Sequence, residues 1–139
     1  MRCFWVCATG ATLACVAWAH HSFAAEYDSN RPITIKGTVQ KLAWVNPHAY
    51  LFVDVKDDAG KVTMWAFETL SPNALARQGW NKNSLKPGEE ITVEGFLAKD
   101  GKPLSDGSLH GNSRLITTAD GRKVFVGSSG DDGGPAPSK

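Results

Sequence analysis

Cysteine is absent from everything past residue 15: Cys3, Cys7 and Cys15 all fall within the first nineteen residues. A domain built from the rest has no thiol, which excludes a disulfide scaffold, a zinc ribbon, an iron–sulfur centre and a cysteine nucleophile. Charge of one sign is not in excess either. Lys plus Arg number 15 against 14 Asp plus Glu, so the basic surplus that polyanionic nucleic acid requires is missing. No GxSxG elbow and no paired-carboxylate pattern occurs, and the sequence supports no catalytic assignment. What it does have is 42% hydrophobic and 21% charged residues, the composition of one ordinary globular domain rather than a disordered chain.

The first nineteen residues stand apart. Arg2 is followed by an uncharged stretch that ends small-x-small at Ala17-Trp18-Ala19, the layout of a secretory signal peptide. A permanent anchor is disfavoured because Thr9, Gly10 and Thr12 interrupt the run, which is short of the roughly 20 apolar residues a span needs. A lipoprotein anchored at Cys15 is disfavoured because Thr12 stands where such signals carry a large aliphatic. Cleavage after Ala19 is expected, leaving His20 as the first residue of a periplasmic or secreted protein with no membrane span. Without Arg2 the remaining chain is neutral.

Residues 20–31 read as a polar arm with isolated Phe23 and Tyr27. From Pro32 the pattern is that of strands. Ile33, Ile35 and Val39 alternate with polar residues, and a parity shift near Gln40 and Lys41 marks a β-bulge. Trp44 to His48 is a loop, because Asn46-Pro47 is turn chemistry. Ala49 to Val55 and Val62 to Leu70 are further strands, separated by a turn at Asp57–Gly60. Ser71-Pro72 then caps a helix of about two turns that ends at Gly79, with Arg77 in its last turn. So short a helix must dock, through Leu75 and Trp80. Ile91 to Leu97 is a fourth strand, residues 98–113 read as a long loop, and Arg114 to Val126 reads as a last strand folded into a hairpin at Asp120-Gly121. Residues 127–139 read as a disordered tail.

A helix inserted between the third and fourth of five to six strands predicts a mainly β, OB-fold-like small barrel over residues 32–126. Gly37 and Gly95 sit within strands, where a small barrel bends tightly. Several strands are apolar on both faces, which suits closure plus a covering helix. An open immunoglobulin-type sandwich gives the capped helix no place.

Four histidines carry the metal chemistry: His20, His21, His48 and His110. As the mature N-terminus, His20 chelates through its α-amine and its imidazole Nδ1, and one further imidazole completes a T-shaped nitrogen site that favours Cu(II). His48 is the natural partner, in the loop between strands one and two. His110 is read as lying in the loop between strands four and five, on the same side. Glu68, closing strand three, is either an oxygen ligand or a partner to an imidazole. The plainer alternatives are a terminal His-His stub, a His48 that fills its turn, and a Glu68 that faces water. A second constellation is aromatic. Trp44, Asn46 and Tyr50, with Phe52 and Trp65, lie on or beside strands two and three, the surface on which OB-folds stack ligands. A metal-independent module recognising a glycan, a peptide or a protein partner is therefore the alternative, unless most of these rings are core.

Several motifs together resemble a family of small exported bacterial proteins, the domain of unknown function 6152. They are His20-His21-Ser22-Phe23, Trp44-x-Asn46-Pro47-His48, Glu68-x-x-Ser71-Pro72-Asn73, Arg77-x-Gly79-Trp80 and Leu85-Lys86-Pro87-Gly88. The resemblance runs from His20 to about Val126. It implies no activity, cofactor or binding residue, but it features His20, His21, His48, Glu68 and the Ser71-Pro72 cap, and leaves His110 out. The reading is a periplasmic binding protein that takes a metal ion or small ligand, with copper the metal its donor set favours.

Overall fold

The computed structural model describes residues 23–127. The expected leader, His20, His21 and the tail beyond Gly127 lie outside the described residues. Two short helices and six strands follow in the order α1 (Phe23–Glu26), β1 (Tyr27–Ala43), β2 (Tyr50–Lys56), β3 (Val62–Glu68), α2 (Pro72–Arg77), β4 (Glu90–Ala98), β5 (Leu109–Thr118) and β6 (Lys123–Val126). Strand order is β3-β2-β1-β4-β5-β6, and a parallel pairing of β3 with β5 closes the first five into a barrel. β6 is the extra strand, hairpinned onto β5 through the turn at Asp120-Gly121. This is the OB-fold-like architecture that the strand–helix order implies.

Alternation along each strand separates two environments. Val39, Leu51, Val53, Phe67, Ile91, Val93 and Ile116 point inward and form one buried cluster. α2 adds Leu75 to it, with Leu70, Trp80 and Leu85 from the flanking segments. The helix begins where Ser71 Oγ accepts from the Ala74 N–H at 3.3 Å, and Pro72 occupies its first turn. The expected bulge in β1 appears as a register shift between Val39 and Lys41. Among the described residues, no helix is long and apolar enough to cross a membrane.

Two boundaries differ from the sequence reading. β1 begins at Tyr27, where an arm was expected to run to Arg31: Tyr27 pairs with Ala98, and the register slips before Pro32 pairs with Phe96. The intervening Asp28, Ser29, Asn30 and Arg31 have no apolar alternation, so nothing in the sequence announces the strand. β5 begins at Leu109, inside the stretch expected to be loop. His110 is therefore a strand residue and not a loop residue. Its neighbours look like loop because barrel closure leaves no room for side chains. A Cβ on Gly111 would meet Phe96 O at 3.1 Å and Phe67 Cε1 at 3.2 Å, and one on Gly95 would lie 1.7 Å from Asn112 O. Small residues at this seam let β3, β4 and β5 approach.

Candidate functional site

The ladder register puts Tyr50 beside Glu68, Ala66 beside His110, Glu68 beside Asn112, Phe96 beside Asn112 and Tyr27 beside Ala98. Cross-strand partners share a face, so Tyr27, Tyr50, Glu68, Phe96, His110 and Asn112 all project from the side of the sheet opposite the barrel core. The turn α1 covers this face. Phe23 packs on Tyr27 with ring centroids 5.7 Å apart, and edge-on against Phe96 at 5.4 Å. The Lys99 backbone N–H donates to Glu26 O at 2.8 Å, and Lys99 Nζ donates to Ala24 O.

Glu68 is the centre of the cluster and is only 4% exposed. Its Oε2 accepts from the Tyr27 hydroxyl at 2.8 Å and from the Tyr50 hydroxyl at 3.0 Å. Its Oε1 lies 2.9 Å from His48 Nδ1. His110 Nε2 lies 2.9 Å from the Tyr27 oxygen. Proton counting assigns the directions. Each phenol has one proton and gives it to Glu68, so the Tyr27 oxygen accepts from His110 Nε2–H. His48 Nδ1–H donates to Glu68 Oε1. A buried carboxylate needs this many donors to offset its lost hydration.

Local backbone holds these atoms in place. The Ala49 N–H donates to Leu70 O at 3.0 Å, and the Thr69 N–H donates to Ala49 O at 2.9 Å. These bonds tie the residue after His48 to the residues after Glu68. Ser113 Oγ donates to Glu68 O at 3.1 Å. The loop before His48 contains a cis Asn46–Pro47 peptide. Burial, then the adjacent Glu68 carboxylate, pushes the Tyr27 phenol far above its ordinary 10.0, and the same two causes raise Tyr50.

His48 and Glu68 thus touch, and Tyr50 joins them. His20 and His21 lie outside the described residues. The other sequence candidates go elsewhere. Trp65 pairs with Val53, stacks on Phe67 at 5.5 Å and packs against the core, on the opposite face from Tyr50. Trp44 also packs against the core, and Asn46 is exposed in its loop. A cavity of about 250 Å³ is lined by Ala25, Glu26, Ala98, Lys99, Asp100 and His110, and a groove of about 320 Å³ runs past Ile33, Phe96, Arg114 and Lys123. Neither is lined by Trp44, Asn46, Tyr50 or Trp65. Among the described residues, no group of three or more His, Cys, Asp and Glu could hold a metal ion.

Tyr27 and His110 are the two members of the cluster that the sequence marks least. A faint signal existed for the first: Phe23 and Tyr27 are two aromatics four apart in an otherwise polar stretch, the spacing of one helical face. For His110 the signal was Leu109 and Gly111 against His110 and Asn112, a strand pattern disguised by glycine and interrupted by the register shift before Ile116.

Five strands closed into an OB-fold-like barrel, with a carboxylate–imidazole–phenol cluster under an N-terminal turn, define a small mainly β domain with a polar site on its outer wall. The chain belongs to the Family of unknown function (DUF6152), whose pattern matches residues 9–107. The matched stretch contains His48, Glu68 and both helices and ends before His110. No curated protein is similar enough to the chain to count as a match.

Proposed function

We propose that this is an exported periplasmic copper-binding protein, cleaved after Ala19, in which the His20 amine and Nδ1 join His48 Nε2 around one Cu(II). The observation that carries the reading is the 2.9 Å contact between His48 Nδ1 and Glu68 Oε1. A carboxylate on one imidazole nitrogen fixes the ring and raises the basicity of the other, which is how metal-binding histidines are supported. Glu68 then acts as the orienting partner rather than as a ligand, since its two oxygens already accept from His48, Tyr27 and Tyr50.

Reach supports the same reading. Phe23 packs against Tyr27, whose hydroxyl meets the carboxylate that holds His48. His20 is three residues before Phe23, and three residues span up to about 10 Å. Nitrogen donors favour Cu(II) over the other divalent ions. The aromatic alternative loses support from the division of Trp65 and Tyr50 between opposite faces.

The test is Cu(II) titration of processed protein beginning at His20 against protein that retains Met before His20. The expected result is at least about tenfold tighter binding by the processed form, and a comparable loss in His48→Ala. Equal affinity of the two N-terminal forms overturns the reading.

A further inference from the structure

We infer that the groove crossing β1, β4, β5 and β6 on the outer wall is a binding site for a small organic monoanion, a carboxylate carried on an apolar body. The inference is independent of the copper reading. The groove holds about 320 Å³ and is lined by Pro32 of β1, Glu94 and Phe96 of β4, Arg114 and Leu115 of β5, and Lys123 of β6. Ladder register brings them together. Pro32 stands beside Phe96 and Glu94 beside Leu115, and cross-strand partners share a face. Arg114 joins through an irregularity. Glu94 pairs with Leu115 but Gly95 pairs with Ser113, so Arg114 is an extra residue in β5. A bulge of this kind re-aims a side chain. Ser113 is buried, whereas Arg114 and Leu115 both line the groove.

The lining sets the chemistry of the ligand. Pro32, Phe96 and Leu115 make an apolar floor, and the Arg114 guanidinium lies over the Phe96 ring at 6.0 Å from its centroid. The ring's attraction for the cation keeps the guanidinium above that floor. There its planar fork matches a carboxylate through two parallel N–H bonds. Lys123 brings a second positive charge and Glu94 a negative one, so the lining keeps one net positive charge. Among the described residues, no ion pair joins Glu94 to either cation. One net charge suits a monoanion, and Glu94 repels the further charges of a phosphate ester or a polyanion. The charge alone is not enough, because an exposed ion pair contributes little. Burial of an apolar body on the floor supplies the rest. The volume is at the small end for ligand sites and suits a single ring or a short chain.

The experiment is an NMR titration of the purified protein with three probes. Phenylacetate has both features, phenylethanol keeps the ring without the charge, and acetate keeps the charge without the ring. Phenylacetate should bind at least about tenfold tighter than either of the others, shifting the amides of Glu94, Gly95 and Leu115. Arg114→Met, which keeps an apolar stem, should weaken phenylacetate by about tenfold, and Lys123→Met by about two- to threefold. Glu94→Gln should tighten it by about two- to threefold, a change in the opposite direction that damage to the fold would not produce. Phenylethanol binding as tightly as phenylacetate would mean that only apolar surface is recognised, and acetate doing so that only charge is. Either result overturns the inference. So do an unchanged affinity in Arg114→Met, amide shifts confined to the cavity beside His110, and the absence of phenylacetate binding up to about 10 mM.

Discussion

His48 and Glu68, twenty residues apart in the chain, meet at 2.9 Å between Nδ1 and Oε1 on the outer wall of the barrel. The contact forms because the β2–β3 ladder is extended by the Ala49 to Leu70 and Thr69 to Ala49 bonds, which hold the loop end beside the strand end. It is the hub from which the remaining contacts of the cluster radiate, and it makes Glu68 the residue whose loss is felt most widely.

Glu68→Ala should therefore cost about 3–5 kcal/mol of folding stability, the range for removing one partner of a buried charged network. Two phenols and an imidazole lose their acceptor together, and leaving them buried is what costs. Glu68→Gln keeps an acceptor oxygen and should cost less. Urea denaturation monitored by tryptophan fluorescence checks both. A Glu68→Ala protein as stable as wild type would mean that water replaces the carboxylate without penalty.

Alkaline pH should destabilise the domain, with Tyr27 the main cause. Its phenol is raised above 10.0 by burial first and by Glu68 next. In the unfolded chain the phenol ionises near 10, whereas in the folded state it holds its proton. Stability is thus fully present below pH 10 and is lost as the pH rises toward the folded value, at about 1.4 kcal/mol per pH unit. Tyr27→Phe should flatten that slope, read from denaturation midpoints between pH 9 and about 11.5.

Barrel closure should fail in Gly95→Ala. The new methyl carbon would stand 1.7 Å from Asn112 O, a backbone atom of the facing strand. Relief requires parting β4 from β5, and the expected loss is about 3 kcal/mol, the upper end of what overpacking costs. Circular dichroism and the soluble yield report it. An unchanged melting temperature would show that the β4–β5 seam yields more easily than its geometry implies.

Ser71→Ala should cost about 1 kcal/mol by removing the acceptor for the Ala74 N–H. The effect is confined to α2, so Cu(II) affinity is expected to be unchanged. A copper effect from this substitution would link the capped helix to the site, which its place among Leu70, Leu75 and Trp80 does not suggest.

The signals legible in the chain were the local ones. Alternation at Ile33–Val39 and Ile91–Leu97, the cap at Ser71-Pro72 and the turn at Asp120-Gly121 each act within a few residues, where steric and hydrogen-bonding preferences leave a pattern. His48 and Glu68 were singled out by residue type and by position next to a loop and a strand end. Their contact was not legible, since nothing in either segment specifies which atoms of the other it meets. Tyr27 was hidden for a different reason. It is buried under a turn that the sequence presents as a polar arm, and its partners Glu68 and His110 lie 41 and 83 residues further on.

By itself, then, the chain determines a cysteine-free, charge-balanced β domain with one capped helix, because periodicity and caps are properties of neighbours. Only the folded barrel decides that Tyr27, His48, Tyr50 and His110 gather about one buried carboxylate. That gathering depends on the register of β3 against β5 and on the turn α1 folding over their outer face, and both are set by closure of the whole sheet.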